Sequence, residues 1–217
     1  MRDRELHPSV DVAAADWLQP RLRPFASAVA AVVPDGFPAY VRLVPPAPGD
    51  SANPPLGSLP TELLHVLCAT LTEHTSTATA CYFCLWDGYG WLHGSAAIMV
   101  LTRDDGLPTL LPQSIPSALS PEVVRGPRVR LPHRDYLLFT GPLEAAPEFG
   151  ATIGGAFVAQ SPNLFWPQDH AWCVASEIDL ACTLVAGSEL LAQALLANPS
   201  LQARPVDPSD ALTCGTD

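Results

Sequence analysis

Apolar residues recur at helical spacing in two stretches of the chain. After Pro60, leucines follow at positions 63, 64, 67 and 71, which is the spacing of one helix face. The second stretch, 189–197, is preceded by Ser188, a residue that favours the N-cap, and is followed by an Asn-Pro pair. The pattern therefore predicts one helix from about residue 60 to residue 74 and another over 189–197.

Other stretches alternate apolar and polar residues, or run apolar for a few residues, as strands do. They are 38–44, 80–86, 89–93, 95–101, 128–131, 135–143, 156–160 and 171–180. Residues 107–127 carry five prolines and are predicted to be mostly irregular, with one helical turn at 121–124 after Ser120. Because the strands follow one another instead of alternating with helices, we predict an α+β fold, a mostly antiparallel sheet with a few helices packed on it.

The length of 217 residues fits a single domain. We predict one globular domain over 1–204, which begins with a helical segment at 10–34. A long loop at 45–58, rich in Pro, Gly, Ser and Asn, interrupts it. Residues 205–217 are predicted to be a flexible polar tail.

Asp87-Gly88 is the strongest hairpin signal in the sequence, because it lies between the strand patterns at 80–86 and 89–93. In such a hairpin, alternate residues of both strands share one face. They are Tyr82, Cys84, Trp86, Tyr89, Trp91 and His93. Four aromatic rings on one face can stack a ligand or a partner's aromatic side chain. The alternative is that this face packs into the core.

Charge and composition exclude several classes of function. The chain has 22 acidic residues and 11 basic ones, all of them Arg, for a net charge of −11. This balance disfavours a nucleic-acid partner, since phosphate neutralisation needs a cationic surface. The absence of Lys excludes Schiff-base chemistry and a P-loop. Arg-only usage with 24 prolines and abundant Ala is typical of a GC-rich bacterial genome.

The hydropathy of the chain predicts a cytoplasmic location and no membrane partner. The apolar runs are far shorter than the roughly 20 residues that span a bilayer. The N-terminal residues show no apolar signal-peptide region, so we expect no export.

Six cysteines are too few and too irregularly spaced for a disulfide scaffold of this length. Cys81 and Cys84 have the C-x-x-C spacing of zinc and redox sites, but in an extended strand their side chains point to opposite faces. A second half-site at His170 and Cys173 also leads into a strand pattern. No dinucleotide-binding or metalloprotease motif is present. We therefore predict no metal, no cofactor and no catalytic residue.

One short stretch concentrates basic residues in this acidic chain. It contains Arg125, Arg128, Arg130, His133 and Arg134. Guanidinium groups bind carboxylates and phosphates, so Arg128, Arg130 and His133 are candidate contacts for a small anionic ligand. Alternatively, Glu177 and Asp179 pair with these arginines across strands.

Residues 161–170 are bracketed by Pro162 and Pro167 and include two large aromatic residues. Because proline limits helix formation and ladder pairing, this stretch predicts a stiff loop. Trp166 and His170 are its candidate binding residues, and a lid packed on the core is the alternative. Asp169 and His170 are also candidates for an acid/base pair with Glu177 or His133, brought near by folding.

Two functional hypotheses remain open. The first is a non-catalytic module that binds a ligand or another protein through the aromatic hairpin face and the 161–170 loop, with the arginine patch at the rim. The second is a small enzyme with hydrolase-type acid/base chemistry, which acts on an anionic small molecule held by the Arg/His patch. Exposed aromatic residues also leave a homo-oligomer as an option.

Overall fold

The computed structural model describes residues 6–24, 28–45, 56–102, 108–132, 134–153 and 155–212. The α-helices are α1 (Thr61–Thr72), α2 (Gly90–His93), α3 (Pro121–Val124) and α4 (Glu189–Ala197). The strands are β1 (His7–Pro8), β2 (Ala39–Leu43), β3 (Cys81–Trp86), β4 (Ser95–Thr102), β5 (Pro108–Ile115), β6 (Val129–Leu131), β7 (Arg134–Gly141), β8 (Gly150–Ile153), β9 (Ala156–Ala159), β10 (Leu164–Pro167), β11 (Cys173–Ala175), β12 (Thr183–Gly187) and β13 (Ala203–Pro205). Four 3₁₀ turns lie at Ala13–Ala15, Gln19–Arg21, Val29–Ala31 and Leu143–Glu148.

Nine strands form one antiparallel sheet in the order β1-β7-β3-β10-β11-β12-β2-β13, and β6 also pairs with β7. Two further pairs, β4–β5 and β8–β9, are two-stranded sheets of their own. The prediction of an α+β fold with a mostly antiparallel sheet is therefore confirmed. Among the described residues, no helix is long and apolar enough to cross a bilayer.

Side chains alternate between the two faces of the nine-stranded sheet, and each face packs against other elements of the protein. On one face Phe83, Phe139 and Phe165 pack with the leucines of α1 and α4. On the other face Trp166 and Leu138 pack with residues of the N-terminal 3₁₀ segment, including Leu18. The sheet is thus the middle of three layers.

The two main helices lie where the leucine spacing places them. α1 begins after Pro60 and buries Leu64, Leu67 and Leu71. α4 has the predicted bounds, and the Ser188 hydroxyl accepts a hydrogen bond from the Leu191 N–H at 3.2 Å. The short helix α3 is capped in the same way by Ser120. Local capping chemistry was a reliable guide in these segments.

The predicted hairpin around Asp87-Gly88 was wrong. β3 pairs with β7 on one side and with β10 on the other, so both of its edges are occupied. Residues 90–93 form the helical turn α2 instead of a partner strand. A neighbour distant in sequence, β10, takes the edge that the hairpin strand would have used.

Three predictions for the later strands also needed correction. Residues 108–115, expected to be irregular, pair with β4 along their whole length. The expected strand 171–180 ends at Ala175, and a turn leads from it to β12. The expected loop 161–170 contains the central strand β10. Proline did not prevent this, because Pro162 precedes β10 and Pro167 is its last residue.

The N-terminal segment 10–34 forms 3₁₀ turns in its described part, where longer helices were expected. Most of the predicted loop 45–58 lies outside the described residues. The described part of the predicted tail is held to the rest of the protein. Asp210 O accepts from the Val29 N–H at 3.0 Å, and the Val206 N–H donates to Tyr40 O at 3.1 Å. The assignment of 1–204 as one domain stays a prediction.

Candidate functional site

The predicted site residues lie in different parts of the sheet, which we describe by the two ends of β10. Asn163 precedes β10 and marks one end, called here the Asn163 end. Gln168 to His170 follow β10 and mark the other, called the His170 end. Ala175 of β11 pairs with Leu164, so the residues after β11, including Glu177, lie at the Asn163 end.

Trp86, Tyr89 and Trp91 come together at the Asn163 end. The ring centroids of Trp86 and Tyr89 are 5.2 Å apart, and those of Tyr89 and Trp91 are 6.0 Å apart. All three side chains are half-buried. The Tyr89 hydroxyl accepts a hydrogen bond from Asn163 Nδ2 at 2.9 Å. The expected aromatic cluster exists, but the turn into α2 builds it and no hairpin face does.

Asn163 holds this end of the sheet together. Its Oδ1 accepts from the Trp86 N–H at 2.8 Å, and its Nδ2 also donates to Ser176 O at 3.2 Å. The side chain is 4% exposed. One buried amide therefore joins β3, β10 and the segment after β11.

Arg128 is occupied by partners within the protein. Its guanidinium donates to Gly126 O at 2.6 Å and to Val124 O. It also lies 3.0 Å from Asp87 Oδ1, and the His93 ring is 3.1 Å from the same oxygen. These contacts leave Arg128 little capacity to bind an added anion.

Arg130 and Arg134 differ in their partners. The Arg130 side chain is exposed, and its guanidinium forms no hydrogen bond or ion pair with another described residue. Arg134 is bound by Glu177, with Nε 2.6 Å from Oε1, and by Asp179. Arg134 therefore pairs with both acidic residues, but they lie in the turn after β11, so the pairing is not across strands as predicted. His133 lies outside the described residues.

Burial and the two acidic partners of Arg134 have opposite effects on the pKa of its guanidinium. Burial alone would lower the pKa of the guanidinium, but Glu177 and Asp179 outweigh that effect and raise it. The guanidinium also lies 5.5 Å from the centroid of the Trp86 ring. Arg134 therefore forms a charged rim between the aromatic cluster and the two carboxylates.

A small cleft opens beside Arg134, between the N-terminal segment and the sheet. Its volume is about 30 Å³. The lining is mostly apolar, with a few polar side chains: Leu22, Ala31, Val32, Leu131, Pro132, Arg134, Tyr136, Asn163, Leu164, Ala175 and Glu177. We call it the Tyr136 cleft.

Tyr136 lines this cleft, and its hydroxyl has no hydrogen-bond partner among the described residues. The residue as a whole is 7% exposed. Burial, with a smaller contribution from the nearby Glu177 charge, raises the pKa of the phenol. The group therefore stays protonated at neutral pH and can donate one hydrogen bond.

Trp166 does not lie on an exposed loop. Its side chain is 0% exposed, and its ring stacks on Tyr82 at 5.6 Å and meets Trp17 edge-on at 5.9 Å. It is part of the core under the N-terminal segment and presents no surface to a partner. The buried position of Trp166 agrees with the alternative prediction that its segment packs on the core.

His170 is exposed at the far end of β10. Its ring stacks on Trp17 with 4.4 Å between centroids, and its backbone is left-handed at φ 53°. Burial and the charge of Arg21 lower its pKa, and Asp169 opposes them. Glu177 and Arg134 lie at the other end of the sheet, separated from His170 by β10, about 13 Å at 3.3 Å per residue. The structure does not bring these groups into one acid/base site.

The C-x-x-C pair divides between the two faces of the sheet, as the strand geometry predicted. Cys81 packs with the α1 side and Cys84 with the N-terminal segment. Burial raises the pKa of the Cys81 thiol to about 12 and that of Cys84 still further. Within the described ranges, no three His, Cys, Asp or Glu residues are grouped as a metal site.

Sequence reasoning missed Tyr136 and Asn163. Tyr136 lies in an apolar strand pattern, where a tyrosine is ordinary core. Asn163 had a weak signal, since it is a polar residue between Pro162 and a buried strand. Comparisons with protein-family models, curated proteins and solved structures gave no match for this chain.

Proposed function

We propose that this protein is a non-catalytic binding module that holds one small, uncharged polar group of a ligand in the Tyr136 cleft, whose volume of about 30 Å³ is close to that of one water molecule. The observation that carries the proposal is Tyr136, a 7% exposed residue of the cleft whose protonated hydroxyl forms no hydrogen bond with another described residue. The hydroxyl keeps access to solvent, so a ligand group that accepts a hydrogen bond from this phenol would take the place of water in the cleft.

The charges around the cleft favour an uncharged ligand over an anion. The guanidinium of Arg134 is neutralised by Glu177 and Asp179, so the rim carries more negative than positive charge. An anion would have to displace a carboxylate from Arg134, and a cation would compete with the guanidinium. These charges support an uncharged ligand, whereas the cluster of arginines in the sequence had suggested an anion.

Trp86 contacts the proposed site through Arg134, which lines the cleft. Its half-buried ring lies against Arg134 and Tyr89. Binding sites for small molecules commonly combine apolar and aromatic walls with a few polar groups that orient the ligand. The hypothesis of a binding module therefore keeps the aromatic cluster of Trp86, Tyr89 and Trp91, but Tyr136 replaces Trp166 as a binding residue.

The experiment uses three isosteric probes of four heavy atoms: acetamide, acetate and acetamidinium. Each is titrated into the ¹⁵N-labelled protein, and amide chemical shifts near Tyr136, Asn163 and Ala175 are followed. We expect saturable shifts with acetamide and weaker ones with the two ions. Tyr136→Phe should weaken acetamide binding about tenfold, the value of one hydrogen bond.

The matched control is Tyr82→Phe, which removes a hydroxyl from the same sheet face outside the cleft. It should leave acetamide binding unchanged. Equal binding by Tyr136→Phe and wild type, or tighter binding of acetate than of acetamide, would overturn the proposal. Because the Tyr136 hydroxyl bonds no described residue, the variant should keep its fold, as a circular dichroism spectrum would verify.

A further inference from the structure

The edge of β7 that faces away from β3 has an opening between two short strands. β1 pairs with residues 139 and 140 of β7, and β6 pairs with residues 134–136. Leu137 and Leu138 lie between these two partners. The opening is therefore two residues long, with the end of β1 on one side and the start of β6 on the other.

The backbone N–H of Leu138 points into this opening. Asp135 O accepts a hydrogen bond from the N–H of Asp87, which follows β3, at 3.0 Å, so the backbone groups of Asp135 point towards β3. Because these groups alternate between the two edges of a strand, those of Leu138 point to the opposite edge. Its carbonyl accepts from the Ser9 N–H at 2.8 Å, but its N–H donates to no other described residue.

This N–H needs an acceptor from outside the chain. Leu138 is 2% exposed, and buried backbone N–H groups are normally paired with protein atoms, water or a ligand. The opening thus presents one directed hydrogen-bond donor to whatever molecule fills it.

A cleft of about 240 Å³ occupies the opening, between α3 and the end of β1. We call it the Leu138 cleft. A cavity of about 150 Å³ already holds benzene, so this cleft has room for an aromatic ring or a branched alkyl group with a small substituent. Most of its lining is apolar: Pro8, Val10, Val123, Pro127, Leu137 and Leu138.

Glu122 is the charged residue of the lining. It is exposed, and its carboxylate forms no hydrogen bond or ion pair with another described residue. This carboxylate repels an anion, and the net charge of −11 adds to the effect. A cationic ammonium or guanidinium group has no acceptor for the Leu138 N–H. An uncharged acceptor therefore suits the cleft best.

We propose that the Leu138 cleft binds a small, uncharged apolar molecule that carries a carbonyl group. The carbonyl oxygen accepts from the Leu138 N–H, and the apolar part of the molecule lies against the proline, valine and leucine side chains. Burial of apolar surface supplies most of the affinity, and the hydrogen bond orients the ligand. The cleft shares no lining residue with the Tyr136 cleft, so it is a second site.

The test uses three probes of nearly equal size and shape. They are acetophenone, α-methylstyrene, in which a CH₂ group replaces the carbonyl oxygen, and benzoate, which is an anion. Each is titrated into the ¹⁵N-labelled protein, and the amide signals of Ser9, Gly126 and Leu138 are followed. We expect saturable shifts with acetophenone. The Leu138 amide proton should move further downfield with acetophenone than with α-methylstyrene, because only the ketone accepts its hydrogen bond.

Benzoate should bind more weakly than acetophenone because of Glu122. Glu122→Gln should tighten benzoate binding about threefold at low salt and leave acetophenone binding unchanged. The matched control is Glu62→Gln, which removes the charge of an exposed glutamate of α1 outside the cleft. It should change neither affinity.

The absence of saturable shifts with acetophenone, or an equal Leu138 amide shift with α-methylstyrene, would overturn the proposal and leave the cleft to water. Benzoate binding as tight as that of acetophenone, or an equal response to Glu122→Gln and Glu62→Gln, would overturn it as well. Tyr136→Phe should leave acetophenone binding unchanged. A loss of binding in that variant would place the ketone in the Tyr136 cleft instead, so the two proposals can fail separately.

Discussion

Asp169 is held by more hydrogen bonds than any other carboxylate described above. It accepts from the Thr75 hydroxyl at 2.8 Å, from the N–H and hydroxyl of Ser76 at 2.8 Å each, and from the Ala171 N–H at 3.1 Å. Burial alone would raise its pKa, but these donors outweigh burial and lower the pKa to about 2. Its position beside His170 therefore serves to fasten the loop after β10 to the end of α1.

Asp169→Asn should lower the free energy of unfolding by about 1 kcal/mol at neutral pH, since it removes the charge that these donors stabilise. The folded pKa is below the unfolded one, so this contribution is complete above about pH 4 and is lost as the pH falls towards 2. Urea denaturation at neutral pH and near pH 2 measures both values.

Asp16→Asn is the control, because Asp16 is exposed and its carboxylate bonds no other described residue. This variant should change stability by less than about 0.5 kcal/mol. If Asp169→Asn lost the same stability near pH 2 as at neutral pH, the hydrogen bonds to the carboxylate would not be its cause.

At the scale of the elements, the cap of α4 gives a direct prediction. Ser188→Ala removes the hydroxyl that accepts from the Leu191 N–H. We expect a loss of about 1 kcal/mol in the free energy of unfolding, measured by thermal or urea denaturation. Ser200→Ala changes an exposed serine beyond the helix whose hydroxyl makes no described bond, and it should be neutral. Equal losses in both variants would contradict the cap.

The difference between local and long-range interactions explains which elements were predictable from the sequence. α1 and α4 depend on leucine spacing and on capping residues within a few positions, so the sequence predicted both. The partner of β3 depends on β10, about 80 residues away, and no local signal opposed a hairpin at Asp87-Gly88. The segment that forms β10 was predicted as a loop because it contains Pro162 and Pro167. These prolines lie before the strand and at its last residue, so they do not interrupt it.

For the whole molecule, the layered core predicts very different roles for two tryptophans. Trp166 is fully buried between the sheet and the N-terminal segment. Trp166→Ala should cost about 3–5 kcal/mol, a large part of the stability of an ordinary domain. Trp86→Ala, at a half-buried position, should cost roughly half as much.

Urea denaturation followed by circular dichroism compares the two variants. A Trp166→Ala variant as stable as Trp86→Ala would show that Trp166 is not a core residue.

The candidate site was only partly accessible to sequence reasoning, for reasons that belong to the whole molecule. Trp86, Tyr89 and Arg134 stood out by residue type, and the fold does bring them together. Tyr136 became notable only through what surrounds it, because its free hydroxyl and its cleft depend on the N-terminal segment lying over the sheet. Such an arrangement leaves no pattern in one strand.

The position of β2 between β12 and β13 has a consequence for how the protein forms. Leu43 pairs with Thr183, 140 positions later in the chain, and with Ala203 on its other side. While the chain is being synthesised, β2 has no partner in the sheet until β12, 140 residues later, has been made. Contacts of such long range close slowly, so the sheet forms late, on the millisecond-to-second scale of non-local β folds. Until then β2 is an unpaired apolar strand that chaperones would need to shield from aggregation.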